Sequence, residues 1–454
     1  MLAALPVCAE ETAAPVQAET AEIGDGHVTL VSDSDQLIPV YVDEEAEGAE
    51  GTVEQAMADF SVGGTIAGLI NDSGIYDIIK GNWKSAVMIL ISFVLLYLAI
   101  VKQFEPLLLL PIAFGMLLTN IPGANLFHMD LFLENQINIQ QIVTEGGMLD
   151  FLYLGVKLGI YPPLIFLGVG AMTDFSPLIA NPKTLFLGAA AQFGVFVAFI
   201  GALLLGFTVP EAASIGIIGG ADGPTAIQVT KTLAPALLGA IAIAAYSYMA
   251  LVPIVQPAVI RCITTRKERL IRMEYKPAAV SKATRICFPI IITLLAGLVA
   301  PKSVALVGFL MFGNLLRECG VLNSLSESAQ KELANIVTIL LGITVAFTMQ
   351  GEAFLSVNTL LIMGLGLIAF VFDTFGGVMF AKLINLFSKK KINPMVGAAG
   401  ISAFPMSSRV IHKMGLKEDP SNFLLMHAAA ANVSGQIASV IAGGLIITIV
   451  EGML

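Results

Sequence analysis

The sequence predicts an all-α polytopic membrane protein of about ten or eleven crossings, broken helices included. Three observations lead there. Of 454 residues, 56% are hydrophobic and only 13% charged, about half the charged share of soluble domains. Mean hydropathy is +0.84. The apolar residues come in unbroken runs rather than the alternation that a membrane β-barrel requires. The same composition excludes disordered, collagen-like and disulfide-scaffold classes.

The elements follow in chain order. Residues 1–75 hold 15 of the 34 acidic residues and no Lys or Arg, so the net charge of −10 belongs to this leader. The remainder sets 24 bases against 19 acids, a balance of +5. Residues 1–9 place small residues at Val7-Cys8-Ala9 without a basic region before them. A trimmed secretory signal and a chance match both remain open. Residues 1–56 read as an acidic, largely disordered leader, with one isolated hairpin over His27–Val42. Residues 57–80, with Phe60, Ile66, Leu69, Ile70 and Ile75, suit an amphipathic interfacial segment. The transmembrane body is 81–454.

Trp83 and Lys84 anchor the first apolar run, Ser85–Val101, at an interface. Further spans are expected at 106–121, 148–171, 184–208, 234–257, 286–300, 304–316, 334–349, 356–386 and 422–449. The basic loop 258–285 carries Arg261, Arg266, Lys267, Arg269, Arg272, Lys276, Lys282 and Arg285, which places it in the cytoplasm. Lys389–Lys391 and Arg409–Lys413 point to the same side. Topology explains these bases without nucleic acid, and membrane lipid is the expected surrounding. Cys8, Cys262, Cys287 and Cys319 form no C-x-x-C pair, and the four histidines form no ligand constellation.

Two segments are apolar yet full of Gly and Pro. In 210–230, Asp222 is flanked by Gly219, Gly220, Gly223 and Pro224, which should break the helix at the acid. Broken backbone at membrane depth requires burial in protein or a cavity. A carboxylate there costs about 3 kcal/mol or more unless partnered, and a cation or proton is the usual partner. Asp222 also suits the N-cap of the next half-helix, with Pro224 in its first turn. In 393–412, Asn393, Gly397, Gly400, Ser402 and Pro405 interrupt a second apolar run before Arg409. Asn393 and Ser402 offer neutral oxygens of the kind Na⁺ prefers, and small-residue helix packing is the competing explanation. Paired broken segments point to a midplane ion site. Thr173-Asp174-Phe175 and Phe372-Asp373-Thr374-Phe375 repeat loosely before the two breaks, as an inverted repeat would. Arg409 doubles as a snorkelling anchor. Tyr246-Ser-Tyr248 and Asn432-Val-Ser-Gly-Gln436 add polar groups inside later spans.

Gly219-Gly-Ala-Asp222-Gly-Pro-Thr, Tyr246-Ser-Tyr-Met-Ala-Leu-Val-Pro253, Asn393-Pro-Met-Val-Gly-Ala-Ala-Gly-Ile-Ser402 and Asn422-Phe-Leu-Leu-Met-His427 resemble the β subunits of sodium-pumping, biotin-dependent decarboxylases. The resemblance covers about residues 80–454. It implies a subunit that decarboxylates carboxybiotin and couples this to Na⁺ export, in an elevator-like core and scaffold. It maps the family's sodium-binding residues to Asp222, Asn393, Gly397, Ser402 and Asn432. Catalytic roles fall to Asp222, Ser402, Arg409 and a tyrosine of the Tyr246-Ser-Tyr248 triplet, Tyr248 being preferred and Tyr246 remaining the alternative. It also implies partners: a biotin carrier protein or domain, a carboxyltransferase α subunit, a small single-span membrane subunit and further copies of the β subunit. The expected location is the inner (cytoplasmic) membrane. The only Lys-Met pair, Lys413-Met414, lacks the Ala-Met-Lys-Met context of a biotinylation site, so biotin arrives on a partner. The competing class is a non-enzymatic, sodium-coupled organic-anion transporter, which composition and broken helices fit equally. A packing subunit without chemistry is disfavoured by Asp222.

Overall fold

The computed structural model describes residues 19–22, 27–33, 36–41 and 74–453, apart from 104–105, 125, 129, 134–138 and 274–279. Contacts divide the chain into Met1–Asp72 and Ser73–Leu454. In the first unit, β1 (Glu19–Glu22), β2 (His27–Asp33) and β3 (Gln36–Tyr41) form an antiparallel sheet in that order. The hairpin expected within His27–Val42 corresponds to β2 and β3, from Val28 opposite Tyr41 to Asp33 opposite Gln36. β1 adds a third strand, Glu19 opposite Leu30. This part of the leader is therefore more regular than its acidity implied, because Val28, Thr29 and Val31 favour extended backbone. The rest of 1–56, and residues 57–73 of the expected interfacial segment, lie outside the described residues, while Gly74–Lys80 is helical.

The second unit is helical wherever it has regular structure among the described residues. Among the described residues, five helices are long and apolar enough to cross a membrane: Trp83–Ile100, Pro182–Leu204, Lys282–Val299, Val357–Phe387 and Leu425–Glu451. Two bent pairs raise this to seven, Met148–Lys157 with Tyr161–Met172 at 69° and Pro235–Tyr246 with Leu251–Ile263 at 68°. The expected ten or eleven included shorter pieces such as Pro106–Thr119. Proline helps set the first bend, since Pro162 and Pro163 sit in the first turn after it, where a missing N–H costs nothing. Large apolar side chains stay exposed on the outer helices, Leu90, Phe93, Leu204 and Leu298 among them, which suits lipid contact.

One design occurs twice. The span Pro182–Leu204 ends in α1 (Phe193–Leu204) and is followed by α2 (Val209–Gly216), a 3₁₀ turn Ile217–Gly220 and α3 (Gly223–Leu233). α4 (Leu238–Ile263) then leads to the basic loop. Later, α5 (Val357–Phe387) is followed by α6 (Pro394–Ala398), a non-helical stretch and α7 (Met406–Glu418). α8 (Leu425–Met453) closes the chain. α1 and α5 cross where the Asp373 carboxylate accepts the Gly194 N–H, capping α1 from another helix. Gly194 permits the approach, because a Cβ there would strike the Ala369 carbonyl. Asp174 of the looser motif is exposed and accepts the Ser176 N–H at 2.9 Å instead. The repeated unit is thus a span followed by an interruption.

The start of the basic loop is strapped to α7. Arg269 pairs with Glu418 at 2.7 Å and Arg272 with Asp419 at 2.6 Å.

Candidate functional site

The first interruption is built by local rules. α2 starts with a Thr208–Glu211 capping box and tightens into the 3₁₀ turn. Ala221 is left-handed at φ 52° and ψ 42°, which costs an L-residue about 1–2 kcal/mol. Asp222 is then the N-cap of α3, its Oδ1 accepting the Thr225 N–H at 3.4 Å. Capping explains only that long bond. Oδ2 accepts the Thr225 hydroxyl at 2.7 Å, the Ser439 hydroxyl at 2.7 Å and the Ser402 hydroxyl at 3.4 Å. Asp222 is 5% exposed, and no Lys or Arg among the described residues pairs with it. Neutral donors, three hydroxyls and one backbone N–H, orient positive dipoles at this carboxylate, and Oδ1 is its less committed oxygen.

The second interruption meets the first here. The Ser402 N–H donates to the Gly220 carbonyl at 3.0 Å. Ser439 on α8 lies 3.1 Å from the Ser402 hydroxyl, so the two serines and Asp222 form one cluster. Asn432 donates to the Ile401 carbonyl at 2.6 Å, beside Ser402, and its Oδ1 has no partner among the described residues. Gln436 Oε1 and Gln192 Oε1 are likewise buried without partners there. A Cβ on Gly220 would lie 3.1 Å from Gln192 Oε1. Uncommitted amide oxygens around a carboxylate are the donor type for a hard monovalent cation.

Two of the expected residues stand apart from this cluster. Asn393 does not reach this cluster. Its amide donates to the carbonyls of Arg269 and Ile271 at 2.8 and 2.9 Å, and its oxygen accepts the Met395 N–H at 3.1 Å. It lies at the far end of α6 and fastens the basic loop. Gly397 packs closely on α5: a Cβ there would collide with the Gly377 carbonyl. Its own carbonyl accepts the Gly400 N–H at 3.0 Å. Three contributors escaped the sequence reading: Thr225, Ser439 and Gln192. The spacing Asn432, Gln436, Ser439 puts three polar residues on one face of α8 and was the available signal.

A cavity of about 1120 Å³ opens onto the cluster, lined by Asp222, Tyr246, Ser402, Gln436 and Arg409. Tyr246 stacks its ring edge on Gly223, a close approach that any Cβ at that glycine would block. Its buried hydroxyl has no partner among the described residues. Tyr248 is not brought to the cavity. Its hydroxyl donates to the Met363 carbonyl within the apolar packing of α4 and α5. Arg409 is exposed along the cavity wall and makes no ion pair among the described residues.

The family model for the Na⁺-transporting oxaloacetate decarboxylase β subunit matches residues 84–450. The methylmalonyl-CoA decarboxylase subunit β of Propionigenium modestum is 53% identical over 377 residues, covering 81% of this chain and 95% of that one. The glutaconyl-CoA decarboxylase subunit β of Acidaminococcus fermentans is 49% identical over 387 residues, covering 85% and 98%. The oxaloacetate decarboxylase β chain 2 of Salmonella typhi is 48% identical over 414 residues, covering 81% and 95%. With the interrupted helices, the buried Asp222 and these matches together, the chain belongs to the family of Na⁺-transporting decarboxylase β subunits.

Proposed function

We propose that this multi-pass membrane subunit decarboxylates carboxybiotin brought by a partner and couples the step to Na⁺ export. The observation that carries it is Asp222: a carboxylate at the floor of a cavity in an apolar body, held by three hydroxyls and no cation. Such a group exchanges Na⁺ for a proton at modest cost to its surroundings, because hydroxyls reorient for either. In the reaction the ureido N–CO₂⁻ bond breaks, CO₂ leaves, and the ring nitrogen takes the electron pair and a proton. Asp222 supplies that proton as it takes up Na⁺. Uncommitted amide oxygens of Gln192, Asn432 and Gln436 join it as cation ligands. Arg409 on the wall grips the carboxylate of carboxybiotin, since a guanidinium matches a carboxylate in a two-bond fork. Tyr246 adds a buried hydroxyl to the same cavity.

The finer surroundings belong to the same reading. Carboxybiotin comes on a carrier protein or domain, loaded by a carboxyltransferase α subunit, in a complex with a small single-span subunit and further β copies. The cavity mouth faces the cytoplasm of the inner membrane, as the basic residues beside it indicate. The organic-anion transporter is not favoured, since the relatives reported above are named as decarboxylase subunits.

The test is Asp222→Asn in the reconstituted complex. Na⁺-stimulated CO₂ release and ²²Na⁺ uptake into vesicles should both disappear. Sodium-stimulated turnover retained by that variant overturns the proposal.

A further inference from the structure

Arg409, Lys413 and Lys417 stand at i, i+4 and i+8 on α7, so they form one row. All three line the cavity that ends at Asp222, and Arg261 from the last turn of α4 lines it with them. Each of the four is exposed. The opposite face of α7, with Ser407, Val410, Ile411 and Met414, is buried in protein.

The neighbouring cations are different. Arg269 is paired with Glu418, Arg272 with Asp419 and Lys382 with Glu268. Glu418 and Asp419, the carboxylates at the end of α7, are consumed in those pairs. Among the described residues none of Arg261, Arg409, Lys413 and Lys417 has an ion-pair partner. Like charges four apart on a helix repel and weaken it. The arrangement therefore costs stability in the isolated chain at low salt, and an anionic surface lying against it relieves that cost. One carboxybiotin carboxylate needs one of these cations, and Arg409 serves it. Lys413, Lys417 and Arg261 remain.

We infer that Arg261, Lys413 and Lys417 form a docking collar for an acidic face of the biotin carrier domain, steering it so that its biotin enters the cavity. The inference rests on the carboxybiotin reading above. The cations line the cavity that leads to Asp222, which favours a protein partner whose biotin must enter there over anionic headgroups. Steering between complementary charged faces acts on encounter, so it weakens steeply with salt.

The experiment compares the wild-type complex with Lys413→Glu/Lys417→Glu and with the milder Lys413→Gln/Lys417→Gln. CO₂ release is measured from two substrates: the carboxylated carrier subunit purified from the same complex, and free carboxybiotin. Both are run at low and high NaCl with total Na⁺ saturating. The double Glu variant should raise KM for the carrier about tenfold, with turnover at saturating carrier unchanged. The Gln variant should fall between. Salt should raise the wild-type KM and move the Glu variant little. Free carboxybiotin should be turned over equally by all three, which also shows that the variants fold.

An unchanged carrier KM overturns the inference. So does an equal rise in KM for free carboxybiotin, which would place the lysines on the substrate. An effect seen only in phosphatidylglycerol vesicles and absent in phosphatidylcholine would assign the row to lipid headgroups and overturn it too. If the wild type releases CO₂ from neither substrate, the carboxybiotin reading itself falls.

Discussion

The backbone N–H of Ser402 donates to the carbonyl of Gly220 at 3.0 Å, tying the two interrupted helices to each other. Every break in a membrane helix frees backbone groups that lipid cannot satisfy. Here one break supplies the donor and the other the acceptor. The same bond sets the Ser402 hydroxyl 3.4 Å from Asp222, so the cluster around Asp222 exists only where the two segments meet. Any motion of one interruption relative to the other must break this bond and disperse the cluster.

Ser439 is the strongest side-chain partner of Asp222 outside its own helix turn, at 2.7 Å, and is fully buried. A hydrogen bond to a charged group is worth about 1.5–3 kcal/mol. Ser439→Ala should therefore raise the Na⁺ concentration for half-maximal decarboxylation roughly tenfold to a hundredfold. Turnover at saturating Na⁺ should change less. The Na⁺ dependence of CO₂ release reads it directly, and an unchanged half-saturation removes Ser439 from the site.

Gly397 tests packing against ion binding. A methyl group there must displace the Gly377 carbonyl of α5. Forced overpacking of this kind costs about 1–3 kcal/mol. Gly397→Ala should lower the thermal unfolding midpoint in detergent, and activity should fall only in step with folded protein. A variant with wild-type unfolding and a lost Na⁺ response would restore Gly397 as an ion-site residue.

These two residues show what the sequence could disclose. The breaks were legible because Gly and Pro act locally, and Asp222 stood out as a charge within an apolar run. Ser439 and Gln192 were not legible, because Ser and Gln in apolar helices are ordinary packing groups. They matter only through the meeting of α1, α8 and the two interruptions, which lie far apart in the chain. The placement of Asn393 was illegible for a related reason. It shares a motif with Ser402, but α6 separates them, and its amide serves carbonyls of the basic loop.

The strap between the basic loop and α7 should respond to acid. Arg272 beside Asp419, with the Ser421 N–H, holds that carboxyl below its ordinary range. Partial burial pushes Glu268 up, but the Thr265 N–H and Lys382 outweigh it and the net shift is downward. A carboxyl lowered on folding lends stability that is present above its unfolded pKa. That stability is lost as the pH falls through the folded value. Docking of 264–272 should hold at neutral pH and loosen below about pH 4. Hydrogen exchange of this segment, corrected for intrinsic rates, reports the change. Asn393→Ala should loosen it at neutral pH as well, since two carbonyl bonds disappear. Equal protection in that variant would contradict the strap.

The tyrosine pair separates the cavity reading from the one that motif resemblance implies. Tyr246 is 3% exposed with its hydroxyl uncommitted, on the cavity that holds Asp222. Tyr248 is 5% exposed and its hydroxyl is spent on the Met363 carbonyl. Removing an oxygen that bonds only a backbone carbonyl leaves that acceptor unsatisfied, at about 1–3 kcal/mol. Tyr248→Phe should therefore reduce the unfolding midpoint while turnover per folded molecule stays near wild type. Tyr246→Phe should do the opposite. It leaves no acceptor stranded, so stability should hold or rise. It removes a hydroxyl from the cavity that holds Asp222, so turnover should fall about tenfold or more if that hydroxyl passes the proton. The Na⁺ half-saturation should move little, because the hydroxyl makes no bond to Asp222. A turnover loss confined to Tyr248→Phe, at unchanged stability, would return the role to Tyr248 and require α4 to turn during the cycle.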